Sequence, residues 1–373
     1  MGNGIEGPVL VLNTGSSTIK ASLRAGEGSC LWHEQRSWTA ASQDSDRLPG
    51  DGSGEIEAVL EGWLPGALAA WQHDIALVGH RVVHGGERFL APTRLTPAVF
   101  EAIEDLVPLA PLHNAPALRV MRWLSQWLSD LEQWACFDTA FHSTLPTEAH
   151  TYAVPVAWRQ AGLRRFGFHG LSHQHIGEVV GRRTRASAGG SPSAPLRLIS
   201  CHLGAGCSLC AIRDGRSIAT TMGFTPMEGL VMATRSGSID PGVLLHQLRH
   251  GMAPADLDRI LNGESGLLGL SELSGSMKEL RESSARGHTG AILAIDVFRH
   301  SLLQGIGAMA ACLGGVDVIA LTGGIGEHDE ALRRELEEAL VWLRPFDLLT
   351  IPADEEGQIA RSCRTAAQAV AAH

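Results

Sequence analysis

Residues 9–20 read VLVLNTGSSTIK: four apolar residues, a tight polar turn and the start of a second strand. An apolar strand that breaks into Asn13-Thr14-Gly15-Ser16-Ser17-Thr18 predicts a turn in which Gly15 permits positive φ and close approach of a ligand. Successive backbone N–H groups and the hydroxyls of Ser16, Ser17 and Thr18 then face one concavity, and Lys20 adds a full positive charge from the next strand. Such a concavity holds anions, although an ordinary hairpin explains the stretch equally well when it is taken alone. Residues 196–215, LRLISCHLGAGCSLCAIRDG, repeat the pattern, with Gly204, Arg213 and Gly215 standing at the spacing of Gly15, Arg24 and Gly26. The pair reads as an internal repeat of two phosphate-holding hairpins.

Two such hairpins gripping a polyphosphate from both sides are the architecture of actin, the heat-shock chaperone ATPases and the sugar kinases. A chain of 373 residues, 44% hydrophobic, is long enough for two domains with cores of their own. A net charge of −10 argues against nucleic acid and against an anionic membrane surface as partner. No apolar run reaches membrane-spanning length, and MGNGIEGPVLVLN lacks the basic start of a signal peptide, so a cytoplasmic protein is expected. Seven cysteines, an odd number, read as reduced thiols. Cys207-x-x-Cys210 beside Cys201 and His202 is a zinc alternative, weakened because positions three apart on a strand face opposite sides.

Functional residues of α/β folds sit just past strand ends, where helices leave the strand tips open. The predicted strand over Asp74–Val83 ends in His84-Gly85-Gly86, making Arg81 and His84 candidates. The strand over Trp134–Phe137 ends in Asp138. Between them the prolines of PLAPLHNAP (108–116) predict an irregular loop separating helices over Thr96–Leu109 and Ala115–Leu131. RRFGFHGLSHQH offers His169 in a glycine-flanked loop, with Ser172 as a candidate N-cap that would leave His173 and His175 on different helix faces. TTMGFTPMEGLVMATRSGSIDPG is too rich in Gly, Pro and Thr for a long helix, and its Arg235 suits a carboxylate or phosphate because a guanidinium binds such anions with two parallel hydrogen bonds. Thr39–Gly54 and Ala186–Pro195 read as surface loops. Val316–Leu321 predicts a strand leading into TGGIGE and a helix from about Asp329, a nucleotide-binding order of elements. GxxxxGK[ST] does not occur.

Taken in order, VLNTGSSTIK, GHRVVHGGE, PLHNAP, FDTAFH, RRFGFHGLSH, CHLGAGCSL, MGFTPMEGL, TRSGSIDPG, TGGIGE and IPADEE resemble the acetate kinase family of short-chain carboxylate kinases over nearly the whole chain. The resemblance implies an α/β protein with the two-domain actin-like fold, duplicated RNase H-like cores and a central cleft. The N-terminal domain would span 1–139 plus 355–373, and the C-terminal domain 140–354. It further implies a phosphotransferase with a carboxyl group as acceptor, moving a phosphoryl group from ATP to acetate with Mg2+ (or Mn2+), and a homodimer.

By the same resemblance Asp138, His169, Arg81 and Arg235 are catalytic. Arg81, Val83, Leu112, Phe168, Pro226 and Arg235 bind the acyl substrate. Ser16, Thr18 and Lys20, the run His202, Leu203, Gly204, Ala205 and Gly206, then Ser276, Met277 and Lys278, and Gly323, Gly324, Ile325, Gly326 and His328 serve the nucleotide. Asn13 and Glu355 serve the metal, with Asp138 helping to order its waters. The chain departs from the family pattern at Ala205, where an Asn is expected, at Ser276-Met277-Lys278 in place of Asp-Met/Phe-Arg, and at His328 in place of Asn. Alternatives are a propionate or butyrate kinase, an ATP-binding regulatory homologue of weakened catalysis, and a zinc hydrolase built on the His and Cys clusters.

Overall fold

A computed structural model describes residues 7–15, 17–26, 28–38, 55–187 and 195–372. The loop expected over 39–54 and most of that over 186–195 lie outside them. The chain divides into two compact units, Met1–Phe141 with Asp354–His373, and His142–Ala353.

The first unit holds β1 (Val9–Thr14), β2 (Thr18–Arg24), β3 (Cys30–Ser37), α1 (Glu55–Leu68), β4 (Leu77–Val82), β5 (Thr93–Arg94), α2 (Pro97–Glu104), α3 (Pro111–Trp127) and β6 (Gln133–Phe137). The second holds α4 (Thr147–His150), α5 (Val156–Gln160), α6 (Gly170–Ser187), β7 (Arg197–Leu203), β8 (Cys207–Arg213), β9 (Arg216–Thr220), α7 (Pro241–Arg249), α8 (Pro254–Arg259), α9 (Gly266–Ser271), α10 (Met277–Ala285), α11 (Thr289–Leu313), β10 (Val318–Thr322), α12 (Gly323–His328), α13 (Glu330–Ala339) and β11 (Asp347–Thr350). The final helix, α14 (Glu355–Ala371), belongs to the first unit.

The first sheet runs β3-β2-β1-β4-β6-β5, with β1, β2 and β3 antiparallel and β1, β4 and β6 parallel. The second runs β11-β10-β7-β8-β9, with β7, β8 and β9 antiparallel and β7, β10 and β11 parallel. Setting β1, β2, β3, β4 and β6 against β7, β8, β9, β10 and β11 makes the two orders the same, so the hairpin repeat in the sequence marks a duplication of five strands, to which the first sheet adds β5 at its edge. The β1–β2 turn closes with the Gly15 N–H donating to the Thr18 carbonyl at 2.8 Å.

Strand alternation divides the faces of the first sheet. Leu10 and Leu12 pack with Ile56, Leu60, Leu64 and Leu68 of α1 and with Val120 and Leu124 of α3. The four α1 residues recur every fourth position and form one apolar stripe, each contributing roughly 1.5–3 kcal/mol of burial. On the other face α14 lies so close to β4 that a Cβ added to Gly79 would come 2.8 Å from Ile359 and 3.0 Å from Cys363.

The irregular proline loop is not observed. Pro108 lies in a short 3₁₀ turn (Val107–Leu109), Pro111 is the first residue of α3, and the helix continues through Pro116. A first-turn proline loses no helical hydrogen bond, and Pro116 lacks only the one to Leu112. The helix is held there by buried Asn114, whose Nδ2 donates to the His84 carbonyl at 3.0 Å while its Oδ1 accepts the His84 N–H at 3.1 Å. Among the described residues no helix is long and apolar enough to cross a membrane.

Gly79→Val should destabilise the first unit by about 1–3 kcal/mol through overpacking against α14. Gly62→Ala, at an exposed α1 position with open space around it, should stabilise it by about 1 kcal/mol. Denaturant midpoints of the two variants check the opposite signs.

Candidate active site

In the first unit, parallel pairing brings the ends of β1, β4 and β6 side by side. Arg81, on β4, donates from Nη2 to Asp138 Oδ2 at 2.6 Å and from Nε to both carboxylate oxygens at 3.1 and 3.2 Å. Its Nη1 donates to Asn13 Oδ1 at 3.1 Å, and Asn13 Nδ2 donates to Glu356 Oε1 at 3.1 Å. Four residues from β1, β4, the tip of β6 and the start of α14 thus form one network. Burial opposes the charge on Arg81, but Asp138, Glu355 and Glu356 together raise its pKa. Burial pushes the Asp138 carboxyl above its ordinary value, Arg81 pulls it down, and nearby Glu355 pushes it up again.

The two sequence candidates Arg81 and Asp138 therefore pair with each other. Asn13, expected at the metal, spends its amide on Arg81 and Glu356. Glu356, which sequence reasoning passed over, is the carboxylate that orients it. Val83 is buried directly after β4, and Leu112 is half-buried in the first turn of α3. Lys20 is exposed opposite Asn13 in the β1–β2 register, and Thr18 begins β2. Ser16 lies outside the described residues. His84 serves structure: its Nδ1 accepts the Gly86 N–H at 3.0 Å.

In the second unit the β7–β8 turn carries Gly204, Ala205 and Gly206, closed by the Gly204 N–H donating to the Gly206 carbonyl at 3.0 Å. A Cβ added to Gly206 would come 3.0 Å from His169 Nε2 and 3.7 Å from Arg235 Nη1, so turn, imidazole and guanidinium converge. Arg235 Nη1 also donates to the Pro226 carbonyl at 3.1 Å. His169 adopts positive φ (56°) immediately before α6. That helix starts at Gly170, so Ser172 is not its N-cap; the Ser172 hydroxyl instead meets His202 Nδ1 at 2.8 Å. The His169 and His202 rings lie 4.2 Å apart, centre to centre.

Phe168 is buried, and its carbonyl accepts from His142 Nε2 at 3.0 Å. The loop carrying Pro226 is anchored by Glu228, which accepts from Tyr152 Oη and Arg165 Nη2, each at 2.6 Å. His173, a zinc candidate, has serine hydroxyls at both ring nitrogens. Cys201, Cys207 and Cys210 are buried thiols whose pKa values burial raises. Among the described residues no three His, Cys, Asp or Glu side chains form a metal-holding group.

A pocket of about 940 Å³ lies wholly within the second unit, between the β7–β8 turn, α10 and α12. Gly204, Ala205, Ser276, Met277, Lys278, Gly324, Ile325 and His328 line it, eight of the positions expected to serve a nucleotide. Ser276 caps α10, while Lys278, Gly324 and His328 are exposed. Arg281, missed in the sequence, also lines the pocket and ties α10 to α13 through Asp329 at 3.0 Å and Glu335 at 2.7 Å. The helix expected from about Asp329 is α13, capped by Asp329, whose Oδ1 accepts the Leu332 N–H at 3.0 Å; the turn before it is already helical, as α12 from Gly323, whose N–H donates to Glu327 Oε1 at 3.0 Å. Gly323 has φ of 78° and would place a Cβ 2.8 Å from the Leu203 carbonyl oxygen, so only glycine fits. Leu203 is buried at the end of β7, and Gly326 packs against it and Leu321.

The model of the acetokinase family matches residues 8–368. The chain belongs to the acetokinase family. A curated relative named acetate kinase, from Synechococcus sp. (strain JA-2-3B'a(2-13)), is 42% identical over 96% of this chain and 99% of its own. Another, from Acaryochloris marina (strain MBIC 11017), is 40% identical over 95% and 98%. Among solved structures, a propionate kinase from Francisella tularensis subsp. tularensis SCHU S4 superposes with a TM-score of 0.82 at 29% identity, covering 95% of this chain and 98% of that one. Porphyromonas gingivalis acetate kinase gives 0.80 at 31% identity, covering 96% and 99%. The fold is the duplicated, two-domain actin-like fold of these kinases.

Burial lowers the imidazoles of His80 and His142 to about 4, with a hydrogen bond to Gln133 and to the Phe168 carbonyl, respectively, acting in the opposite sense. Both are neutral in the folded protein and regain a pKa near 6.5 on unfolding. Below pH 6.5 the unfolded chain binds more protons, so their contribution is whole above that value and is lost as the pH falls towards 4. Stability should drop by about 2 kcal/mol per buried imidazole between pH 7 and pH 5. Urea midpoints that stay constant over this window would show that the rings take up protons in the fold as they do in the unfolded chain.

Proposed function

We propose that the protein transfers the γ-phosphoryl group of ATP to the carboxylate of acetate, giving acetyl phosphate and ADP, reversibly and by direct in-line displacement. The observation that carries this reading is the convergence of His169 Nε2, Arg235 and the Gly204–Gly206 turn beside the pocket of the second unit. It is supported by relatives at about 40% identity over nearly their full length that are named acetate kinase. One acetate oxygen attacks the γ-phosphorus, the bond to the bridging oxygen breaks, and ADP leaves with that electron pair. Such a transfer asks a protein for positioning and for charge stabilisation rather than covalent chemistry. Arg235 stabilises the charge that spreads over the moving phosphoryl oxygens and His169 donates a hydrogen bond to it; by the family resemblance Arg81 of the first unit serves the carboxylate. By the family resemblance, Val83 and Leu112 of the first unit and Phe168 and Pro226 of the second are the residues that serve the acyl group.

In the first unit Asp138 and Glu355 are the two carboxylates a divalent cation would take. Mg2+ is commonly held by one or two carboxylates together with substrate phosphates, and Asp138 and Glu355, which raise each other's charge cost, would hold it with Asn13. When bound, Mg2+ neutralises phosphate charge; Arg81 keeps Asp138 oriented. The adenosine occupies the pocket between α10 and α12, where Lys278 and His328 stand in for the family's Arg and Asn. The exposed apolar residues Ile239, Val243, Leu245 and Leu248, on and just before α7, supply a surface suited to a homodimer. Propionate is the second acceptor, favoured by the match to the Francisella propionate kinase. A methylene changes acceptor preference by only about 1–3 kcal/mol.

Incubation of the purified protein with ATP, Mg2+, acetate and hydroxylamine should yield acetohydroxamate, and its absence would point to a binding protein without catalysis. Arg235→Ala should keep the fold, read by circular dichroism, and lose about 10²-fold or more in kcat/KM. Near-normal turnover would remove Arg235 from the site.

A further inference from the structure

Behind His169 the second unit buries an uninterrupted line of hydrogen-bonding side chains that the proposed chemistry does not use. His169 Nδ1 lies 2.9 Å from Ser208 Oγ, Ser208 Oγ lies 2.8 Å from His173 Nε2, and His173 Nδ1 lies 2.9 Å from Ser200 Oγ. Ser208, His173 and Ser200 are all fully buried, on β8, α6 and β7. Two polar serines inside otherwise apolar strands, each meeting the same buried imidazole, are a built arrangement, since a buried hydroxyl left without a partner costs about 1–3 kcal/mol.

A hydroxyl has one proton, so Ser208 donates to one imidazole and accepts from the other. If Ser208 donated to His173, then His173 would carry its proton on Nδ1 and donate it to Ser200. The Ser200 O–H, which has no other partner among the described residues, would then be a buried donor with nowhere to go. In the opposite sense every proton is used: Ser200 donates to His173 Nδ1, His173 Nε2–H donates to Ser208, and Ser208 donates to His169 Nδ1. Buried donors left unpaired are rarer than acceptors with a spare lone pair, which selects the second direction. Burial also holds the His173 pKa well below its ordinary value, with His142 and His202 adding to the effect, in keeping with a neutral ring.

We propose that Ser200, His173 and Ser208 are positioning residues that fix His169 as the neutral tautomer protonated on Nε2. That nitrogen is the one turned towards Gly206 and Arg235. The chain thereby converts a ring that could equally present a bare lone pair to an incoming phosphoryl oxygen into an obligate hydrogen-bond donor. Its functional meaning rests on the reading of His169 as the group facing the phosphoryl, whereas the placement of the proton does not.

Long-range 1H–15N correlation spectra of the full-length protein with 15N-labelled histidine, at pH 7 and without substrates, test the placement directly. His169 and His173 should both show a protonated Nε2 and a bare Nδ1. A proton on Nδ1 of either ring would overturn the proposal, whatever the enzyme's activity. Ser208→Ala should lower kcat by about tenfold or more, leave KM for ATP and acetate within twofold, and be restored by Ser208→Thr, which keeps the hydroxyl. An unchanged kcat, or a loss confined to KM, would also overturn it. A wild-type protein that makes no acetyl phosphate would instead sink the kinase reading and leave the tautomer result standing.

Discussion

Parallel pairing of the central strands is the constraint from which both groups of candidate residues follow. Parallel neighbours end at the same sheet edge, so their carboxyl-terminal residues and the turns after them are delivered together. In the first sheet Leu12 faces His80 and Val82 faces Phe137, which sets Asn13, Arg81 and Asp138 within hydrogen-bonding distance of one another. In the second, Cys201 faces Leu321 and His202 faces Thr322, which lays the Gly204–Gly206 turn against the start of α12. A slip of one residue in either register would turn these side chains to the opposite faces of their sheets.

The two copies of the sheet have diverged in how they handle charge. The first unit concentrates ionisable groups: Arg81, Asp138, Glu355 and Glu356, with Arg24 paired to Asp354 at 2.9 Å. Buried charges of this kind persist only when each is paired and hydrogen-bonded, and the Arg81–Asp138 contact meets that condition through three bonds. The second unit lines up neutral groups behind His169, with the Arg235 guanidinium beside them. Its histidines sit among serine hydroxyls and backbone carbonyls, and burial keeps His142 and His173 uncharged. In the proposed transfer, neutral, pre-oriented donors would stabilise developing negative charge without a large reorganisation of their surroundings.

Much of this was legible in the sequence, and the failures have specific causes. The hairpin repeat announced the duplicated sheet because Gly15, Arg24 and Gly26 recur as Gly204, Arg213 and Gly215 at the same spacing, and the strand tips at Arg81, Asp138 and Gly323 followed from short apolar runs ending in polar or glycine residues. Proline misled at 108–116, since Pro111 occupies a first turn that tolerates it and Asn114 holds Pro116 in the helix through a contact with His84, thirty residues away. The role of Glu356 depended on which side of α14 faces Asn13, information that a run of two glutamates lacks. The serine–histidine chain escaped because its members come from three elements. Ser200 within LISCHL and Ser208 within CSLCAI were nevertheless the available signal, each a hydroxyl in a strand too apolar to leave it without a partner. Arg281 was hidden for the same reason, its partners Asp329 and Glu335 lying about fifty residues further on.

The most direct measurement is a crystal structure with ADP, acetate and aluminium fluoride, whose planar fluoride group imitates a phosphoryl in transit. The fluoride should lie within hydrogen-bonding distance of His169 Nε2 and Arg235, with the diphosphate on the Gly204–Gly206 turn and the adenosine between α10 and α12. A nucleotide bound elsewhere on the protein, or a fluoride group that neither His169 nor Arg235 reaches, would contradict it.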